Sequence, residues 1–424
     1  MKHVIIGNGP AGVVAAETLR KRRPTDDIVM IGDEPHPSYS RMAIPYLLIG
    51  NIDERGTYLR KDPNHFDSLR IQTVQGRVTG IDTAARKVRV AEGTGFDYDT
   101  VLIASGSSPV APPIPGLDSP FVHPCWTLHD ARNILQLARP GARVLQLGAG
   151  FIGCIILEAL ARRGVKLTVV EMGDRMVPRM MGEGAGTLIR QWCQNKGITV
   201  KTSTRLERLD PAAPVRASFS DGTAEEFDLV IRATGVRPNI GFLAGSPIKA
   251  LQGVLTDQHM QTSVPGIYAA GDCAEAFDPI TGKTLVSAIQ PNAVDQGYIA
   301  AVNMSGGDAE AKLVTQINVL DTLGLISTSF GQWQGVPGGQ AVEVCDPKAF
   351  KYLRLEFDGD VLVGANSLGL TEHVGVLRGL VEGRLPLGEW KDRLLQDPMR
   401  LPEAYLAVAQ AQAGFQGAAR GSSR

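Results

Sequence analysis

Two short glycine runs, and the acids that follow them, are the residues of this sequence whose spacing could do chemistry. Gly7-Asn8-Gly9-Pro10-Ala11-Gly12 comes straight after the apolar run Val4-Ile5-Ile6 and leads into an alanine-rich stretch, Val13 to Arg20, that reads as a helix. A second apolar run, Ile28 to Ile31, ends at Gly32-Asp33-Glu34. A G-x-G-x-x-G at a strand-to-helix turn, with an acid after the next strand, is an arrangement that binds a dinucleotide. Gly7 makes the tight turn, Gly9 lets a pyrophosphate approach the backbone, and Gly12 lets the helix pack close to the strand. The helix N-terminus offers its positive end to the phosphates. The pattern recurs: Val144-Leu145-Gln146-Leu147 leads into Gly148-Ala149-Gly150-Phe151-Ile152-Gly153, a helix to about Arg163 follows, and the strand Leu167 to Val170 ends at Glu171. An acid there accepts hydrogen bonds from an unphosphorylated ribose and repels a 2′-phosphate, so Glu171 argues for NADH over NADPH, while Arg175 close by weakens that preference.

The elements that must position these turns are βαβ units of a parallel sheet. Short strand-like segments lie between them: Gln75 to Ile81, Lys87 to Val90, and Thr100 to Ala104 ahead of Ser105-Gly106. The proline-rich stretch Pro109 to Pro120 reads as a linker. From about Thr315 the pattern alternates as in strands, and Tyr352 to Phe357, the turn Asp358-Gly359 and Val361 to Val363 form a hairpin signal. With 424 residues the chain has room for two or three domains, and 48 Gly and 26 Pro suit many tight turns between buried strands. Lys and Arg number 43 against 44 Asp and Glu, which leaves no global field for nucleic acid or an anionic membrane. The five cysteines are widely spaced without a C-x-x-C pair, which fits a reducing compartment, and no apolar stretch reaches the roughly 20 residues of a membrane span. A cytoplasmic location is the expectation. No histidine has metal-ligand spacing, and no metal is expected.

Leu102-Ile103-Ala104-Ser105-Gly106-Ser107-Ser108-Pro109, Ala233-Thr234-Gly235-Val236-Arg237-Pro238-Asn239 and Gly266-Ile267-Tyr268-Ala269-Ala270-Gly271-Asp272-Cys273-Ala274, beside the two glycine motifs, make the chain resemble the flavoprotein reductases of the pyridine nucleotide-disulfide oxidoreductase class. That resemblance implies two Rossmann-like dinucleotide-binding domains in an α/β fold. On that resemblance the NAD domain (113–244) is expected to be inserted in the FAD domain (1–112 and 245–314) and an α/β interface domain (315–411) to follow, while the small, polar, Gly-rich residues 412–424 read as a flexible tail. It implies that Asp272 binds the ribityl chain of FAD. An apolar strand running into Gly-Asp also puts a carboxylate at the carboxyl edge of a parallel sheet, where ligands of such folds bind.

Within the class, Ile31-Gly32-Asp33-Glu34-Pro35-His36-Pro37-Ser38-Tyr39-Ser40-Arg41 is similar to the rubredoxin and ferredoxin reductases and to the NADH-oxidising half of assimilatory nitrite reductase. The resemblance places Asp33, with Glu34 as the alternative, on the adenosine ribose of FAD and Arg41 against its phosphates. Pro291-Asn292-Ala293-Val294-Asp295-Gln296-Gly297 resembles the helix start that faces the flavin ring. Cofactor contact is thereby expected at Gly7, Gly9, Pro10, Ala11, Gly12, Val78, Ala104, Ser105, Gly106 and Asn292 for FAD, and at Gly148, Gly150, Phe151, Ile152, Gly153, Glu171 and Gly235 for NAD.

The departures say what kind of reductase this is. Relatives that reduce disulfides or peroxide hold a cysteine beside the flavin, and Arg41-Met42-Ala43-Ile44-Pro45-Tyr46 has none. Electrons are then expected to pass directly from the flavin to an outside acceptor: a rubredoxin- or ferredoxin-like carrier or a separate reductase subunit. Cys273 reads as a core residue. Pro45-Tyr46 stands where a lysine is common, and Ile155 where a glutamate beside the nicotinamide is common. No catalytic side chain is assigned, because the cofactors carry the chemistry. The competing readings are an NADH oxidase or quinone-type dehydrogenase, and a non-catalytic FAD- and NADH-binding sensor or scaffold. Leu380 to Leu395, charged on several sides, reads as a partner or dimer surface, and a homodimer is expected from the resemblance.

Overall fold

The computed structural model describes residues 1–278, 282–311 and 317–408, so the tail expected at 412–424 lies outside the described residues. The chain divides into two compact units. The first comprises Met1–Val110, Trp126–Arg132 and Val236–Thr315; the second comprises Ala111–Cys125, Asn133–Gly235 and Gln316–Arg424. The short piece Trp126–Arg132, which the sequence places in the second nucleotide region, groups with the first unit.

In the first unit five parallel strands lie in the order Ile267–Ala269, Thr100–Ile103, Lys2–Ile6, Asp27–Gly32 and Ile71–Gln75. Parallel sheets are covered on both faces, which is why these strands read as apolar runs rather than alternating ones. Alternate side chains accordingly feed two cores. Ile5, Met30 and Leu102 pack with Ala15, Ala16, Leu19 and Ala300 of the helices, while Val4, Ile6, Ile31 and Val101 pack with Ile81 and Val88. The helices Pro10–Arg22 and Gln290–Met304 meet where Gly297 lies on Ala11, since a Cβ at Gly297 would press on the Ala11 carbonyl oxygen. The segment Gln75 to Ile81 is two strands, not one. Gln75 closes Ile71–Gln75, the Gly76 N–H donates to Gly32 O at 2.8 Å, and Val78–Asp82 opens an antiparallel meander with Lys87–Val90 and Gly95–Asp97.

The second unit repeats this plan. Its parallel sheet runs Thr199–Lys201, Lys166–Val170, Arg143–Leu147, Leu229–Arg232, Val122–His123, with a meander of Leu206–Asp210, Val215–Phe219 and Ala224–Phe227. It also carries a five-stranded antiparallel sheet, Ile317–Thr322, Leu325–Gly331, Val361–Leu368, Lys351–Asp358 and Gln340–Asp346, containing the expected hairpin. Leu380, Leu387 and Leu394 are buried in the core under that sheet, so Leu380 to Leu395 is tied inward by these leucines, while Gly383, Pro386, Gly388, Glu389 and Asp392 are exposed. No helix among the described residues is long and apolar enough to cross a membrane.

Candidate active site: two glycine turns and their surroundings

The two glycine runs fold to the same backbone. Gly7 has φ +116° and Gly148 φ +95°, and a Cβ at either would strike a backbone carbonyl oxygen of the neighbouring strand's extension, Ala104 or Ala233. Gly12 and Gly153 each sit so close to the turn that a Cβ would meet the carbonyl oxygen of Gly7 or Gly148. Only glycine satisfies both conditions. The helix caps Gly9 (φ −76°, ψ −172°) and Gly150 (φ −74°, ψ −171°) match, and neither helix start is capped by a side chain. A Cβ at Gly9 or Gly150 would meet nothing within 4 Å, so each turn leaves open space above the first amides of a helix, where an anion is stabilised. Pro10 is the first helical residue, where its missing N–H costs nothing, and Ala11 is buried. Phe151 and Ile152 begin the second helix, half-buried.

The acids differ. Asp33 is exposed, whereas Glu34 is half-buried and lines a cleft of about 640 Å³ beside the first turn, with Asn8, Gly32, Arg60 and Phe66. Glu34 accepts from the Tyr39 hydroxyl at 2.6 Å and pairs with Arg41 at 2.6 Å. In the second unit the Glu171 carboxylate folds over its own turn, accepting from Ala149 N and Gly173 N, both at 2.8 Å. Arg175 is held away from it, donating to Met181 O at 3.1 Å and to Asp174 at 2.7 Å.

A chain of contacts crosses the first unit. Arg41 donates to the Trp126 carbonyl at 2.7 Å and lies over the Trp126 and Tyr39 rings at 5.4 and 5.5 Å. The Trp126 indole N–H donates to Ser107 O at 3.0 Å, and the Ser107 hydroxyl donates to Asp272 Oδ2 at 2.7 Å. Burial pushes the Asp272 carboxyl above the usual carboxylate range, opposed by the Ser107 hydrogen bond and, less, by the Arg41 charge. A desolvated carboxylate with a single hydroxyl donor has spare acceptor capacity for a polyol. Trp126 is itself fixed by a Thr127/Asp130 capping box, in which Asp130 Oδ2 accepts from Trp126 N at 3.1 Å and Thr127 N at 2.8 Å.

The remaining candidates fall around this frame. Ala104 closes on Gly7. Ser105 and Asn239 exchange hydrogen bonds at 2.8 and 3.0 Å, and Ser107–Pro109, just after Gly106, pairs antiparallel with Val236–Pro238. Asn292 is buried in the first turn of its helix, with Nδ2 donating to Ser287 Oγ at 2.7 Å, and Gln296 Oε1 accepts from Gly271 N at 2.9 Å. Val78 is half-buried against the sheet core. Gly235, at φ +93°, has open space where a Cβ would stand. Cys273 is fully buried, its thiol directed at the carbonyls of Ile103 (3.3 Å) and Ala270 (3.4 Å), and burial raises its pKa, which is the behaviour of a core thiol. His259 lies 3.5 Å from Asp308 through Nδ1 and 3.4 Å from Glu310 through Nε2, and one ligand atom from each of the three lies within 4.8 Å of the others, a group that histidine spacing in the sequence did not show. Sequence reasoning missed Trp126, Ser107 and Tyr39. The one signal for Trp126 was the Thr127-x-x-Asp130 cap beside it.

A family model described as pyridine nucleotide-disulphide oxidoreductase matches residues 1–297. The NADH-dependent phenylglyoxylate dehydrogenase subunit epsilon of Aromatoleum evansii is 29% identical over 402 residues, 94% of this chain and 95% of that protein. An NADH oxidase of Methanocaldococcus jannaschii is 34% identical over 328 residues, 75% of this chain and 72% of that protein. Among solved structures, the covalent putidaredoxin reductase–putidaredoxin complex aligns with a TM-score of 0.88 over 96% of this chain and 99% of that chain, at 22% identity, which speaks for the fold. With two parallel Rossmann-like sheets, an antiparallel C-terminal sheet and a family match over more than half its length, the chain belongs to the pyridine nucleotide-disulphide oxidoreductase family and is a NAD(P)H-dependent flavin oxidoreductase.

Proposed function

We propose that the protein takes hydride from NADH onto FAD and passes the electrons to an external acceptor, a small electron-carrier protein or a separate reductase subunit. The observation that carries this reading is the pair of glycine turns with one backbone geometry, each beside an acid, with a desolvated Asp272 in the same unit as the first. In this reading residues 1–112 and 245–314 hold FAD. Gly7, Gly9, Pro10, Ala11 and Gly12 cradle its pyrophosphate, with Arg41 beside them. Glu34 or Asp33 takes the adenosine ribose, Asp272 the ribityl hydroxyls, and Ala104, Ser105, Gly106, Val78 and Asn292 the surrounding contacts. Residues 113–244 hold NADH through Gly148, Gly150, Phe151, Ile152, Gly153 and Gly235, with Glu171 on the adenosine ribose. Bound FAD supplies the two-electron to one-electron conversion; the chain's part is to align, dry and polarise.

The thiols support an outside acceptor: Arg41 to Tyr46 carries no cysteine, and the Cys273 thiol is sealed against two carbonyls. The Aromatoleum relative is named as a subunit, which supports a partner chain as acceptor. Arg175 is engaged by Asp174 and Met181 rather than left open beside Glu171, which supports NADH. The test is anaerobic stopped-flow absorbance of the flavin-loaded protein mixed with NADH and, separately, with NADPH. Fast bleaching by NADH is expected; bound flavin that NADH does not bleach would sink the reductase reading. Because the Methanocaldococcus relative is named an NADH oxidase, reoxidation by oxygen is followed in the same instrument against reduction of added rubredoxin or ferredoxin.

A further inference from the structure

Arg232 is the last residue of the strand Leu229–Arg232 and is only half exposed. Its Nε is closed off from solvent without a hydrogen-bond partner, and among the described residues no carboxylate pairs with it. Other arginines around this sheet are engaged: Arg143 by Asp228 at 2.8 Å and Glu226 at 3.1 Å, and Arg175 by Asp174. A partly desolvated cation without an anion is costly, and guanidinium is the side chain best matched to phosphate.

Its place says which phosphate. Chain order reverses between Arg143–Leu147 and Leu229–Arg232, and ligands of open parallel sheets lie outside the carboxyl ends of the strands at that reversal. Glu171, at the end of Lys166–Val170 on one side, takes the adenosine half, so the other half extends over Leu229–Arg232. Arg232 is in register with Leu147, the residue before the Gly148 turn, and the next residue, Ala233, supplies the carbonyl on which Gly148 closes. We infer that Arg232 binds the nicotinamide-half phosphate of the dinucleotide. This rests on reading the second turn as the NADH site.

The test measures binding without turnover, by calorimetric titration of the oxidised, flavin-loaded protein with NAD+, ADP-ribose and AMP. AMP keeps the adenosine-side phosphate and lacks the second one. In Arg232→Gln, NAD+ and ADP-ribose are expected to bind about tenfold or more weakly, with AMP unchanged, as for a lost charge-assisted hydrogen bond. Arg232→Lys is expected to fall between the two, and it serves in place of the Gln variant if that one does not fold with its flavin. Unchanged NAD+ binding, or an equal loss for AMP, would overturn the assignment of Arg232 alone. A wild-type protein that binds neither NAD+ nor ADP-ribose would overturn the NADH reading of the turn, and this inference with it.

Discussion

The two glycine turns share their dihedrals and their close approaches, yet their surroundings are built differently. Around the first, side chains from four distant stretches converge: Glu34 with Arg41, then Trp126, Ser107 and Asp272, linked contact to contact. Around the second, the acid is already satisfied by Ala149 N and Gly173 N, and the nearest arginine in sequence is turned aside. A ligand at the first turn would be gripped along its length; one at the second would meet a cradle, one acid and one arginine. That difference suits a cofactor that stays in one site and a substrate that leaves the other on every turnover.

The comparison breaks most visibly at the glycines. Gly7→Ala and Gly148→Ala each force a Cβ onto a carbonyl at positive φ, expected to cost about 3 kcal/mol or more once clash is added to backbone strain. Gly7→Ala is expected to give colourless protein with a lowered Tm. Gly148→Ala is expected to stay yellow and bleach with dithionite but not with NADH. A Gly148→Ala protein that loses its flavin while Gly7→Ala keeps it would reverse the assignment.

Asp272 comes next. Its folded pKa is raised by burial, so the ionised carboxylate costs the apoprotein stability above that pKa, and the cost disappears as pH falls through it. FAD hydroxyls donating to the carboxylate need the anion, so FAD affinity is expected to fall over the same pH interval. Asp272→Asn should raise the apoprotein Tm yet weaken FAD by about 1.5–3 kcal/mol at neutral pH and flatten the pH dependence. Fluorescence titration of apoprotein with FAD across pH checks both. An Asn variant that binds FAD as tightly as the parent would remove Asp272 from the site.

At the second turn, Glu171→Gln keeps the side chain's size and removes its charge. The NADPH-to-NADH ratio of kcat/KM is expected to rise about tenfold, ~1.4 kcal/mol, with flavin content unchanged. An unchanged ratio would show that the carboxylate, held as it is by two backbone N–H groups, does not read the ribose.

How much of this was legible follows from which signals are local. Both turns, their helices and the strand-end acids are consecutive residues under steric rules, and the hairpin at Asp358-Gly359 is a period-two pattern with a turn. Trp126 was legible only through the Thr127-x-x-Asp130 cap beside it, because its partners Ser107 and Arg41 are distant in sequence. In the segment Leu380 to Leu395 the charges were legible but the burial of Leu380, Leu387 and Leu394 was not, because charge shows on a helical surface whether or not the opposite leucines are buried. Which of the adjacent acids Asp33 and Glu34 lines the cleft was also hidden, because it depends on the strand's last dihedrals and on Tyr39 and Arg41.

The finest difference between the cradles is one residue beneath each. Ile5 lies under Gly12, and its counterpart Gln146, fully buried, lies under Gly153 and donates through Nε2 to Gly148 O at 2.9 Å and Gly153 O at 3.0 Å, leaving Oε1 without a partner. In Gln146→Leu the two lost hydrogen bonds oppose the relief of a buried orphan oxygen, so stability is expected to move by about 1 kcal/mol or less in either direction. The carbonyl of the turn is no longer pinned, however. KM for NADH should rise a few-fold, about 1 kcal/mol at most, with kcat and flavin content unchanged. The reciprocal Ile5→Gln, placing an amide where the first cradle is apolar, should lower Tm and flavin retention instead. If Gln146→Leu altered flavin retention and left KM for NADH untouched, the two cradles would not act on separate ligands, and the comparison would fail at its smallest scale.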